Sequence, residues 1–154
     1  MNQNLSRRQF VKKSAAAAST LALANQFVHS APDNKIKLGL IGCGGRGTGA
    51  AAQAMNAGDE IQLVAVCDVD AKTAAAQVEL LAKQKPNQVS VSPDKIFSGF
   101  EDYKNVIAES DVVILATSPG FRPQHFEEAV RQGKHVFMEK PVASDVVGIK
   151  RVLA

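Results

Sequence analysis

Ile36-Lys37-Leu38-Gly39-Leu40-Ile41-Gly42-Cys43-Gly44-Gly45-Arg46-Gly47 is the stretch that decides the fold class of this 154-residue chain. Its first half reads as an apolar strand. Its second half supplies the spacing G-x-G-x-x-G, and small, alanine-rich residues follow from Arg46 to Asn56 as a helix. A glycine loop between a buried strand and a helix start is stronger evidence than the glycines alone. Gly42 permits the tight turn, Gly44 lets a pyrophosphate approach the backbone, and Gly47 lets helix and strand pack closely. The free N–H groups where Gly45 and Arg46 open the helix are placed to bind phosphate oxygens. The Arg46 guanidinium either meets a phosphate as well or is solvated.

The pattern repeats outward from this loop. Gln62 to Cys67 reads as a second strand and Ala71 to Ala82 as a second helix. Lys83 to Pro93 is polar and irregular. Ile96-Phe97 is a short strand, Tyr103 to Ala108 a short helix, and Val112 to Ala116 a buried strand. A helix over Phe126 to Gln132 stops at Gly133, His135 to Met138 is a further strand, and Ser144 is placed to cap a last helix from Asp145. Strands alternating with helices imply a parallel sheet with right-handed crossovers, and near-continuous apolar strands imply burial on both faces. The expected fold is α/β, a doubly wound parallel sheet of the Rossmann NAD(P)-binding type. The last helix is still running at Ala154 and the usual sixth strand does not follow, so residues 35–154 are expected to be a domain incomplete at its C-terminus.

Composition narrows the function classes. The chain has 18 Lys+Arg against 15 Asp+Glu, a net charge of +3. Arg7, Arg8, Lys12 and Lys13 lie in a segment, residues 1–24, without acids; the remainder has 14 basic and 15 acidic residues. The positive charge belongs to a leader, and no nucleic-acid footprint is expected on the body. Ser6-Arg7-Arg8-Gln9-Phe10-Val11-Lys12, followed by an alanine-rich apolar run, resembles the twin-arginine export signal. Residues 1–31 are therefore expected to be a signal peptide and short linker, cleaved after Ala24 or Ala31. The twin-arginine export machinery is an expected partner and the periplasm the expected location. Cys43 and Cys67 are too few for a disulfide framework, although one bond between them stays open. No His/Cys/Asp/Glu cluster has metal-ligand spacing, and no G-x-S-x-G occurs.

Three further places carry chemistry. Asp68 ends the second strand, at the spacing of an acid that binds a ribose hydroxyl. A carboxylate there repels a 2′-phosphate, which favours NAD and leaves NADP as the alternative. Asp70 competes with it but is better placed to cap the next helix. Thr117, in Ala116-Thr117-Ser118-Pro119-Gly120, lies beyond a strand's carboxyl end, where open α/β sheets bind ligands. Glu139-Lys140-Pro141 follows the last strand. Partial desolvation of Lys140 would bring its amine into acid/base range, Pro141 allows a cis peptide that aims it into the cleft, and Glu139 is placed to orient or pair it. His125 and His135 are read as structural.

The glycine loop, Val64-Ala65-Val66-Cys67-Asp68 and Gly133-Lys134-His135-Val136-Phe137-Met138-Glu139-Lys140-Pro141 together resemble the Gfo/Idh/MocA oxidoreductases over residues 35–154. The resemblance implies a domain binding NAD or NADP, with dinucleotide contacts at Gly42, Gly44, Gly47 and Asp68, and nicotinamide and substrate contact at Lys140. It also implies a second α/β domain over the substrate. Members commonly carry T-P-x-x-x-H after the fourth strand; here Ser118-Pro119 follows Thr117, and Arg122 stands where the His is usual. The implied activity is hydride transfer between nicotinamide and a carbinol of a sugar, polyol or glycoside, with Lys140 as the catalytic residue and a homo-oligomer open for the full-length form. Two alternatives are a glycosidase or sugar–sugar oxidoreductase with tightly held, internally recycled NAD, and a non-catalytic dinucleotide-binding fragment. An S-adenosylmethionine methyltransferase also uses a glycine loop and an acid after its second strand, but the Glu-Lys-Pro turn argues against it.

Overall fold

In the strand β1 (Ile36–Ile41) every side chain from Leu38 onward is buried, so this strand has to lie inside a sheet covered on both faces. A computed structural model, which describes residues 34–154, places it there. The export signal expected within residues 1–31 lies outside the described residues. Five parallel strands run in the order β3-β2-β1-β4-β5, with β2 at Ile61–Asp68, β3 at Ile96–Ser98, β4 at Val112–Leu115 and β5 at His135–Met138. This is the expected doubly wound arrangement. The winding reverses at β1, so a crevice opens between the carboxyl ends of β1 and β4.

Helices cover both faces. On one side α1 (Gly45–Met55) and α2 (Ala71–Gln84) bury Ala51, Met55, Ala74 and Leu81 against Leu38, Leu40, Leu63 and Ile114. On the other, α3 (Tyr103–Glu109) and α4 (Arg122–Arg131) bury Val106, Ile107 and Ala129 against Ile41, Ala65, Val113 and Leu115. Alanines on α1 allow the helix to sit close to the sheet. A last helix, α5 (Val146–Leu153), packs on α4.

The element borders shift by one or two residues at several ends, and two differences bear on the site or on a cap. The helix α4 begins at Arg122, four residues before Phe126, because Pro123 lies in its first turn, where the missing N–H is no loss. Asp145, not Ser144, caps α5, its Oδ1 accepting from the Gly148 N–H at 2.6 Å. Asp70 caps α2 as expected, accepting from the N–H groups of Lys72 and Thr73.

The polar stretch after α2 holds a structural plug. Gln88 is buried, and its Nε2 donates to the carbonyl oxygens of Met55, Gly58 and Ile61 at 2.7, 2.9 and 3.1 Å. These are backbone acceptors at the end of α1 and around the turn into β2, and one side chain ties the three together. Neighbouring backbone pairs Leu63 with Val89 in a single parallel bridge. Gln88→Leu should destabilise the fold by about 1–3 kcal/mol, the cost of losing these hydrogen bonds. A urea titration should show a lower midpoint with an unchanged slope; an unchanged midpoint would remove Gln88 from the fold's supports.

Candidate functional site

The crevice is floored by the glycine loop. Gly42 has φ +95°, and a Cβ there would lie 2.7 Å from the Ala116 carbonyl carbon and the Thr117 nitrogen. A Cβ on Gly47 would collide with the carbonyl oxygen of Gly42, so strand end and helix start meet backbone to backbone. Gly44 and Gly45 are the opposite case: a Cβ on either would meet nothing within 4 Å. Gly44 is also the N-cap of α1 and supplies no side-chain acceptor, so the first-turn N–H groups of α1 are left for a ligand. That bare, open helix start fits a diphosphate.

Asp68 is set before any ligand arrives. Its Oδ2 accepts from the Cys43 N–H at 2.7 Å and its Oδ1 from the Asp70 N–H at 3.1 Å. Each carboxylate oxygen keeps a second lone pair for a ribose hydroxyl. Beneath it, Cys43 and Cys67 are buried free thiols, so the disulfide left open by the sequence is not formed. Burial pushes both thiols up to about 12, aided by nearby acidic groups, which makes them inert packing residues.

The cleft above has a volume of about 320 Å³ and is lined by Gly42, Gly44, Asp68, Thr117, Tyr103 and His125, among others. His125, read as structural, is 5% exposed and reaches this lining because α4 starts at Arg122 and points its first turn at the crevice. Its ring centroid lies 4.2 Å from that of Tyr103, and its Nδ1 is 3.3 Å from Thr117 Oγ1. Burial pulls the imidazole pKa down to about 4, with Glu101 opposing, so it is neutral at pH 7. Phe100 and Phe121, also on the lining, have ring centroids 5.7 Å apart. Neither phenylalanine was singled out from sequence. Their signal was their position just past the ends of β3 and β4.

The Glu139-Lys140-Pro141 turn follows β5, outside the residues that line this cleft. The Lys140–Pro141 peptide is cis. Glu139 is buried and pairs with Arg46 rather than Lys140: its Oε1 accepts from Arg46 Nε at 2.7 Å and lies 2.5 Å from Nη2. Arg46 holds the Glu139 carboxyl below the usual range through this hydrogen bond and charge. Arg46, two residues past Gly44, thus ties the glycine loop to the turn, with its guanidinium on a carboxylate. Lys140 itself is exposed, not desolvated as the sequence reading required. The buried Arg122 donates from Nε to Thr117 O at 2.7 Å, and from Nη1 to Glu139 O at 2.7 Å and Pro141 O at 2.6 Å.

A model of the GFO_IDH_MocA oxidoreductase family, NAD-binding Rossmann fold, matches residues 36–154. The chain belongs to the Gfo/Idh/MocA oxidoreductase family. Among curated proteins, a glycosyl hydrolase family 109 protein of Solibacter usitatus is 27% identical over 151 residues, 92% of this chain and 34% of the relative. Among solved structures, a myo-inositol dehydrogenase from Lactobacillus casei in complex with NAD(H) and myo-inositol is 25% identical with a TM-score of 0.59, over 77% of this chain and 32% of its own. The WlbA dehydrogenase from Bordetella pertussis, in complex with NADH and UDP-GlcNAcA, is 28% identical with a TM-score of 0.61, over 77% and 33%. The chain spans about a third of the length of these relatives. NAD is the cofactor of this Gfo/Idh/MocA domain, and the open glycine edge and oriented Asp68 fit it.

The neutral, buried His125 gives stability a sign with pH. Its folded pKa of about 4 lies below its ordinary 6.5, so the unfolded state binds more protons between those values. The contribution is full above pH 6.5 and is lost as pH falls toward 4. Between pH 7 and pH 5 it amounts to about 2 kcal/mol. His125→Gln should flatten that part of the urea-midpoint profile, and an unchanged slope would mean that His125 does not titrate there.

Proposed function

We propose that this chain is the NAD-binding part of an exported oxidoreductase that acts on a carbinol carbon of a sugar, polyol or glycoside. The observation that carries the reading is the juxtaposition at the sheet's switch point. The open glycine edge and the ribose-type acid lie on one crevice, and the Arg46–Glu139 pair ties the Lys140 turn to its glycine loop. Bound NAD would supply the hydride acceptor or donor at its nicotinamide. The N–H groups at Gly44, Gly45 and Arg46 hold the diphosphate, with Gly42 and Gly47 shaping the turn. Asp68 accepts from ribose hydroxyls, and Thr117 borders the dinucleotide. Lys140 donates to the substrate oxygen and carries its proton, and its exposed amine has the freedom to reach a substrate outside the domain's own cleft. Glu139 holds the turn through Arg46.

The substrate class draws support from solved relatives that hold myo-inositol or a UDP-sugar. Export rests on the twin-arginine pattern from Ser6 to Lys12. A second reading has one observation in its favour: the relative named as a family 109 glycosyl hydrolase aligns over 92% of the chain. In that reading NAD stays bound and is restored within each cycle, so net hydrolysis needs no added cofactor. Protein isolated from its host and dialysed separates the two. Hydrolysis without added NAD and without accumulating NADH supports recycling, whereas turnover that depends on added NAD supports a net dehydrogenase.

Asp68→Asn keeps an acceptor for the Cys43 N–H but removes the charge. NAD affinity should fall about tenfold, a loss of about 1.4 kcal/mol, and NADP should be discriminated against less. Calorimetric titration with both dinucleotides measures this, and an unchanged NAD/NADP ratio would take Asp68 out of the ribose contact. Lys140→Met should lower kcat by about 10²–10⁴ while NAD affinity stays within about fivefold. Full turnover in that variant would sink the role given to Lys140.

A further inference from the structure

We propose that Arg122 is a positioning residue for Lys140, a clamp that fixes the turn carrying the amine against the loop that borders the dinucleotide. The proposal rests on the proton-carrying role given to Lys140 above. Arg122 stands in the first turn of α4 and is 6% exposed. One nitrogen, Nη1, donates to both carbonyls that flank Lys140, those of Glu139 and Pro141. A second, Nε, donates to Thr117 O across the crevice edge. The guanidinium is planar and its donors diverge at fixed angles, so one side chain sets the distance between the ends of β4 and β5.

The choice of arginine follows from the acceptors. They are three carbonyl oxygens belonging to two separate segments. An ammonium on a flexible stem has no rigid fork with which to hold both segments in register. Burying the cation costs solvation, and the three carbonyls together with the nearby Glu139 carboxylate offset it. Lys140 is exposed, so its own side chain does little to fix its place, and the position of its amine is inherited from the turn. Misplacing a reacting group by about 1 Å can cost about 10²-fold in rate. The role differs from that of Arg46, which holds the Glu139 side chain and leaves the backbone of the turn untouched.

The test reads backbone order in the full chain by nitrogen-15 relaxation, in the parent and in Arg122→Lys. In the parent, the Glu139 and Lys140 amides should have order parameters of about 0.85. In Arg122→Lys they should fall below about 0.6, while Val66 and Ile114 in the core stay rigid. Equal order at Lys140 in both proteins overturns the proposal. Should Arg122→Lys not fold, the parent decides alone. Hydrogen exchange at Arg122 Nε slowed about a hundredfold or more against free arginine supports the clamp, and free-like exchange overturns it. In turnover, Arg122→Lys should lower kcat about tenfold or more with NAD affinity within about twofold. Parallel losses of both would assign Arg122 to general stability instead. Full activity in Lys140→Met would remove the proton-carrying role of Lys140 while leaving the order parameters to decide on the clamp.

Discussion

Residue 47 has no side chain because the carbonyl oxygen of Gly42 occupies the place where one would go. That contact sets how closely α1 approaches β1, and much else is downstream of it. It brings the uncapped start of α1 to the carboxyl edge of the sheet, where its N–H groups can face an anion. It also holds the Gly42 turn against Ala116 and Thr117, so the first crossover and the end of β4 share one wall. A Cβ at Gly47 would push the helix outward, and the crevice would lose its floor and the open helix start together. Fold and cofactor chemistry are therefore one constraint at this point of the chain.

The site is also oriented in advance. Asp68 is held by two backbone N–H groups, and the Glu-Lys-Pro turn is tied down through both the Glu139 side chain and the carbonyls around Lys140. Groups fixed before binding need not be ordered by the ligand, which lowers the entropic cost of association. The same bonds couple distant segments. Arg46 and Glu139 are 93 residues apart, yet their pairing ties the first loop of the sheet to the turn after β5.

Most of the fold was legible because its signals are local. A parallel strand buried on both faces shows as a short apolar run, and the glycine spacing names its own turn. The start of α4 was missed because Pro119, Gly120 and Pro123 look like breakers when read one at a time. Pro123 is harmless in a first helical turn, which only the helix itself reveals. Gln88 looked like one polar residue in a polar loop, since the carbonyls it satisfies come from the end of α1 and the turn into β2.

The candidate site divides along the same line. Asp68 and the glycines occupy set distances along the chain from a recognisable loop, so spacing alone makes them candidates. His125, Arg122 and the partner of Glu139 are defined by what lies opposite them after folding. Arg46 offered two local readings, phosphate contact or solvation, and the structure supplies a third, a buried carboxylate delivered by β5. Sequence spacing could not weigh that option, because the Coulomb attraction depends on a separation set by the strand order β1-β4-β5. Arg46, past the end of β1, thus finds its partner at the end of β5, two strands away in the sheet. The neighbouring strand order, more than sequence distance, is then what should guide the search for one.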